Sequence, residues 1–188
     1  DNVTQRSERM PWYKGPTLLE HLETVDVEED RTDRPFRMAV QWVNRPHLDF
    51  RGFCGRVAGG SVRPGDAVRV IPSGVKTRVK AVLAGFDEVP VAANGDAVTL
   101  TLEDEVDASR GDVLVAADAP PEVADQFEVR LLWMAEHAMA PGRQYLLKLG
   151  CKEVTATITA IKYREDVNTG AHLAARTLGL NEIAVVNL

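Results

Sequence analysis

Between residues 65 and 115 the chain repeats one short pattern: glycine, aspartate, then alternating apolar residues. The segments are Gly65-Asp66-Ala67-Val68-Arg69-Val70, Gly95-Asp96-Ala97-Val98-Thr99-Leu100 and Gly111-Asp112-Val113-Leu114-Val115. Glycine adopts positive φ without steric cost, and an aspartate carboxylate can accept hydrogen bonds from the adjacent turn backbone. Apolar residues at every second position suit a strand with one buried face. Each segment therefore reads as a turn that launches a strand, and turns this frequent leave room for strands rather than long helices. The pattern is too short to be a solenoid repeat.

The rest of the chain extends this reading. Phe36, Met38, Val40 and Trp42 alternate with Arg37, Ala39 and Gln41, which predicts the first strand. Further strands are expected over 53–58, 67–71, 75–86 and 97–102, a spacing that belongs to a small closed barrel or sandwich. Asp118-Ala119-Pro120-Pro121 stiffens the backbone and removes two amide donors, so a domain boundary is expected there. Beyond it Phe127, Val129, Leu131 and Trp133 alternate with Glu128 and Arg130. Pro141-Gly142 turns, Tyr145, Leu147 and Leu149 form the next strand, and 154–163 and 183–188 supply the last ones.

The N-terminal part differs. Residues 2–10 are polar and unpatterned, as expected of a linker. Thr17 and Glu20 have the spacing of a capping box, and Leu18, Leu19, Leu22 and Val25 give the short helix that follows one apolar side. From 23 to 34 the chain is acidic and without period. The organisation read from these patterns is a linker with a short helix over 1–34, a β-barrel over 35–117 and a second over 118–188. The fold class is all-β.

Little points to catalysis within the chain. A P-loop needs a glycine-rich loop ending in Lys and Ser or Thr, and no such segment exists. Asp49-Phe50-Arg51-Gly52 matches the short Asp-x-x-Gly pattern of nucleotide switches but has no partner motif. His21, His47, His137 and His172 are scattered, and none stands at zinc-ligand spacing from a cysteine or carboxylate. No Gly-x-Ser-x-Gly elbow is present. A net charge of -6 argues against a nucleic-acid partner, because a phosphate backbone is drawn to a positive field. Cys54 and Cys151 are too few for a disulfide framework and read as free thiols of a cytoplasmic protein. No apolar run is long enough to span a bilayer, so no membrane partner is expected.

Three patterns have plainer readings. Arg110-Gly111-Asp112 spells an adhesion tripeptide but sits at a strand-launching turn, and Asn2-Val3-Thr4 spells a glycosylation acceptor that matters only in a secretory compartment. Lys76, Arg78 and Lys80 form a basic stripe, read as a solvated face opposite buried Val75, Thr77, Val79 and Ala81, with contact to an acidic partner as the alternative.

Several segments, taken in order, resemble a known family. Arg34-Pro35-Phe36, Arg51-Gly52 to Gly55-Arg56-Val57, Arg63-Pro64-Gly65-Asp66 and Arg110-Gly111-Asp112-Val113-Leu114 resemble the second domain of elongation-factor-Tu-like GTPases, and the second half resembles their third domain. Met10-Pro11-Trp12-Tyr13-Lys14-Gly15-Pro16-Thr17-Leu18-Leu19-Glu20 is similar to the G-domain exit of the large-subunit family of sulfate adenylyltransferase. Tyr163-Arg164-Glu165-Asp166-Val167-Asn168-Thr169 and Leu180-Asn181-Glu182-Ile183 look like the same family.

The resemblance implies two translation-factor β-barrels whose G domain, with its GTP and magnesium, is missing from this chain. It implies no catalytic, nucleotide or metal site here, and a role in interdomain coupling and docking. The implied partners are the small subunit, which makes adenosine phosphosulfate from ATP and sulfate, the chain's own G domain, and in some relatives a fused adenosine-phosphosulfate kinase domain. Arg51, Gly52 and Arg56 match the family's glycine-rich strand segment and are the implied G-domain interface; the alternative is that the glycines serve a bulge or close strand approach and the arginines are solvated. Barrels of another translation-factor-like GTPase, or a non-enzymatic β-barrel interaction module, are the rival readings.

Overall fold

The glycine–aspartate pairs build the same turn three times. In a computed structural model describing residues 2–25 and 33–188, Gly65, Gly95 and Gly111 all have positive φ, at 89°, 97° and 94°. The following aspartate closes each turn twice. The amides of Asp66, Asp96 and Asp112 donate to the carbonyls of Arg63, Ala93 and Ser109. Their carboxylates accept the amides of those same residues at 2.8, 2.8 and 2.9 Å. The local chemistry expected of the pattern is therefore present in each copy.

Nine strands belong to the first half: β1 (Arg37–Asn44), β2 (Gly52–Gly59), β3 (Ser61–Val62), β4 (Ala67–Ile71), β5 (Lys76–Ala84), β6 (Asp87–Glu88), β7 (Ala92–Ala93), β8 (Ala97–Leu102) and β9 (Val113–Ala116). The three turns launch β4, β8 and β9. Six strands pair antiparallel in the order β4-β9-β1-β2-β8-β5, and β4 also pairs with β5, so the ladder closes into a barrel. Met38, Val40, Phe53, Val70, Leu100 and Leu114 fill its interior. Each such side chain contributes about 1.5–3 kcal/mol on burial.

Two expectations for this half need correction. Val75 is exposed and Ala81 only half-buried, so the buried face opposite the basic stripe is Thr77, Val79 and Val82. Val75 still belongs to the turn out of β4, where its carbonyl accepts the amide of Val70. The strand expected over 75–86 also stops at Ala84, because Gly85 turns the chain at positive φ into β6.

In the second half, β10 (Glu128–Leu132), β11 (Gln144–Leu149), β12 (Lys152–Thr157), β13 (Ala160–Glu165), β14 (His172–Leu173) and β15 (Ile183–Asn187) form a four-stranded sheet, β10-β15-β13-β14, and a separate hairpin, β11-β12. The single run expected over 154–163 is divided between them. After Thr157 the backbone changes partners: Ile158 accepts the amide of Gly142 and turns into the core, while Thr159 donates to Asn187. Met139, Ile158, Leu178, Ala184 and Val186 make a smaller core, and Met139 and Leu178 exchange backbone bonds in both directions. Among the described residues no ladder joins β1–β9 to β10–β15.

The N-terminal residues form a unit separate from the one that begins at Thr32. Its helix α1 (Leu18–Thr24) starts at the expected capping box: Thr17 Oγ1 accepts the amide of Glu20, whose carboxylate accepts the amide of Thr17. The segment read as a linker is tied to that helix, since the carbonyls of Asn2 and Val3 accept the amides of Leu18 and Leu19. These bonds satisfy amides that a helix N-terminus leaves without intrahelical partners. Leu18, Leu19, Leu22 and Val25, the residues of the expected apolar side of α1, are exposed. The acidic stretch over 23–34 lies largely outside the described residues.

Candidate functional site

Strand alternation sets the three residues of the implied interface apart. Phe53 and Val57 point into the barrel, so Arg51, two residues before Phe53, falls on the inner side at the barrel mouth. Its guanidinium lies 5.3 Å from the centroid of the Phe53 ring. Nη2 is 3.5 Å from the Ala108 carbonyl and 3.6 Å from the Asp107 carboxylate. Both contacts are longer than a well-formed hydrogen bond. The buried Nε–H has no partner. Because the Asp107 side chain is 98% exposed, that ion pair adds only about 0–1 kcal/mol.

Arg51 lines a cleft of about 380 Å³ together with Phe50, Lys80, Glu103, Asp104 and Glu105. The cleft thus combines a loosely held cation and aromatic walls with an acidic rim. Gly52 has a packing role: a Cβ there would lie 2.5 Å from Cγ2 of Thr99 on β8. Arg56 is on the outer face, where its Nε donates to the carbonyl of Gly95 at 2.7 Å and clamps the turn into β8. The structure therefore brings Arg51 and Gly52 to the barrel mouth and leaves Arg56 on the other side of the sheet.

A fourth strand-launching turn went unrecognised in the sequence. Gly179-Leu180-Asn181-Glu182 precedes β15 with Asn181 at φ 63°. Glu182 donates its amide to the Gly179 carbonyl and accepts the Gly179 amide on its carboxylate at 2.8 Å. Asn replaces Gly, and Glu replaces Asp with a longer reach. The same carboxylate pairs with Arg164 of β13.

The Gly179 amide first, and the Arg164 hydrogen bond second, hold the Glu182 carboxyl below its ordinary value of 4.5. A depressed folded-state value stabilises the fold above the unfolded value and loses that contribution as pH falls through the folded one. Stability is therefore expected to drop as pH falls below 4.5, and Glu182→Gln should flatten that part of a pH–stability curve measured by urea denaturation. An unchanged slope in the variant would remove the turn as its source.

The remaining candidates stay apart. The His172 ring stacks on Tyr163 with centroids 3.8 Å apart, while His47 and His137 rest against Phe50 and Trp133. Among the described residues no group of His, Cys, Asp and Glu is placed to hold a metal ion. Cys54 and Cys151 are free and half-buried.

Comparison with known proteins places this geometry in context. Residues 126–188 match the family described as GTP-eEF1A C-terminal domain-like. The whole chain is 54% identical to part of the bifunctional enzyme NodQ of Rhizobium sp. (strain N33), covering 29% of that protein. It is 51% identical to part of sulfate adenylyltransferase subunit 1 of Laribacter hongkongensis (strain HLHK9), covering 39% of it. The chain thus spans between 29% and 39% of the length of these relatives. Among solved structures, sup35 complexed with GDP superposes with a TM-score of 0.76 at 20% identity, over all of this chain and 47% of that one. At that identity the likeness concerns the fold alone.

Proposed function

We infer that this chain belongs to the large-subunit family of sulfate adenylyltransferase, of which it is the elongation-factor-like portion, and that it serves there in interdomain coupling and docking. The observation carrying this reading is an overall identity of 51%, in an alignment that spans the entire chain, with a relative named sulfate adenylyltransferase subunit 1, whereas a solved factor of the same fold shares only 20%. In the parent, GTP and magnesium belong to the G domain. The barrels transmit the state of that domain by rearranged contacts, a domain-level population shift. The two ladder systems act as separate domains over 35–117 and 118–188.

Within this reading the Arg51 cleft is the G-domain face. Its guanidinium is held at long distances on a fixed aromatic base, so it can take a better acceptor without breaking a strong bond of its own. Gly52 shapes the strand beneath it, and Arg56 supports the neighbouring turn. The partner in trans is the small subunit, which joins ATP and sulfate. The NodQ relative is called bifunctional and is the longer one, which supports a fused kinase domain in some parents.

Mixed with purified sulfate adenylyltransferase small subunit, the chain is expected to co-elute as a complex in size-exclusion chromatography, while a fluorescent GTP analogue gives no binding signal. Absence of the complex would overturn the docking role. GTP binding by the chain itself would overturn the assignment of the nucleotide to the missing domain.

A further inference from the structure

One cross-strand row on the outside of the first barrel is basic. Lys76 of β5 stands opposite Arg69 of β4, Arg69 opposite Val115 of β9, and Val115 opposite Arg37 of β1. Neighbouring strands lie about 4.8 Å apart, so the three cations occupy a band about 15 Å wide. Arg78, two residues beyond Lys76, adds a fourth on the same face. The interior residues of these strands, Met38, Val68, Val70, Thr77 and Leu114, have the opposite parity and are buried; within the row Val115 is buried as well, Arg37 and Arg69 are half-buried, and Lys76 and Arg78 are exposed.

Like charges directly opposite each other destabilise a ladder, and Arg69 and Lys76 form such a pair. Among the described residues, none of the four lies within ion-pair distance of a carboxylate. Arg37 and Arg78 donate to carbonyl oxygens of Phe36, Ala119 and Gly65, which orients the guanidinium groups and leaves their charge. Arg69 Nε is buried without any partner. The chain carries 28 acidic residues against 22 basic ones, so a basic row with no carboxylate partner among the described residues runs against its overall composition. A rule broken locally with no structural compensation marks a functional surface.

We propose that this face, centred on Arg69 and Lys76 with Arg37 and Arg78, docks a carboxylate-rich protein segment. Guanidinium forks match carboxylates in shape and charge. A short acidic segment fits the band, whereas a long nucleic-acid polyanion would run onto the acidic rim at the barrel mouth, where Glu103, Asp104 and Glu105 flank Lys80. The net charge of -6 opposes such a polyanion as well. This surface is separate from the Arg51 cleft and does not depend on the assignment made for it.

The test uses the chain and a fluorescein-labelled deca-glutamate peptide, read by anisotropy at low salt. Saturable binding that weakens with added salt is expected. The double variant Arg69→Gln/Lys76→Gln should bind about tenfold more weakly, the loss of two ionic contacts. Arg143→Gln, at an exposed cation of the second half, should bind as the unaltered chain does. The double variant should also melt at a higher temperature, because it relieves a like-charge pair; a purely structural role would lower it. No peptide binding, an equal loss in the Arg143 variant, a lower melting temperature, or tighter binding of an RNA decamer than of the peptide would each overturn the proposal.

Discussion

Replacing Phe53 with alanine is expected to lower the stability of the chain by about 3–5 kcal/mol, seen as an earlier urea midpoint with an unchanged slope. Phe53 is 1% exposed and among the largest fully buried side chains of the barrel. Its ring closes the core from within and carries the Arg51 guanidinium. Truncation leaves a cavity and removes the base on which that cation rests. Leucine retains most of the volume, so Phe53→Leu should cost under about 1.5 kcal/mol while still removing the aromatic contact to Arg51. Comparing the two separates the core role of the ring from its role at the cleft. If alanine cost no more than leucine, Phe53 would not be the core residue described.

A second large effect is expected at Gly111, with Gly65 as its control. Both are turn glycines at similar positive φ, 94° and 89°, so valine at either should cost about 2 kcal/mol of backbone strain. They differ in what lies beyond. A Cβ on Gly65 meets nothing within 4 Å, whereas a Cβ on Gly111 would lie 3.1 Å from Cβ of Lys152 and 3.4 Å from its Cα. Lys152 opens β12, and its ammonium is 3.9 Å from Asp112. The turn that launches the last barrel strand is thus also where the second half abuts the first. Gly111→Val should lose about 1–3 kcal/mol more than Gly65→Val through overpacking at that contact, measured by thermal unfolding of both variants. Equal losses would show that Lys152 yields freely.

The parts of this architecture readable in the sequence are those fixed by local chemistry. The three glycine–aspartate turns were legible because the conformational need and the hydrogen-bonding group are adjacent residues. The fourth was not, because Asn181 and Glu182 meet the same two needs with different side chains. The run over 154–163 looked like one strand since its β-favouring composition does not change at Thr157; only the switch of backbone partners divides it. Val75 was misplaced for a related reason, as alternation carries no mark of where a turn ends. Arg51 and Arg56 are an odd number of residues apart, so their opposite faces follow from the pleat, while the weak hold on the Arg51 guanidinium does not. The basic row was half visible: Lys76 and Arg78 lie on one strand, but their alignment with Arg69 and Arg37 depends on register between strands distant in sequence.

The closed ladder of the first barrel has a consequence for how the chain opens. Each of its six ring strands is bonded on both sides, because β4 meets β9 on one side and β5 on the other. No ring strand can detach by breaking a single ladder, so thermal fluctuations must disrupt the ring in concert or not at all. Among the described residues, β10 and β14 of the second half are bonded on one side only, and β14 by just two residue pairs. Amide protons of the barrel ring should therefore exchange with solvent as one slow cooperative group, while those of β14 escape early through local fraying.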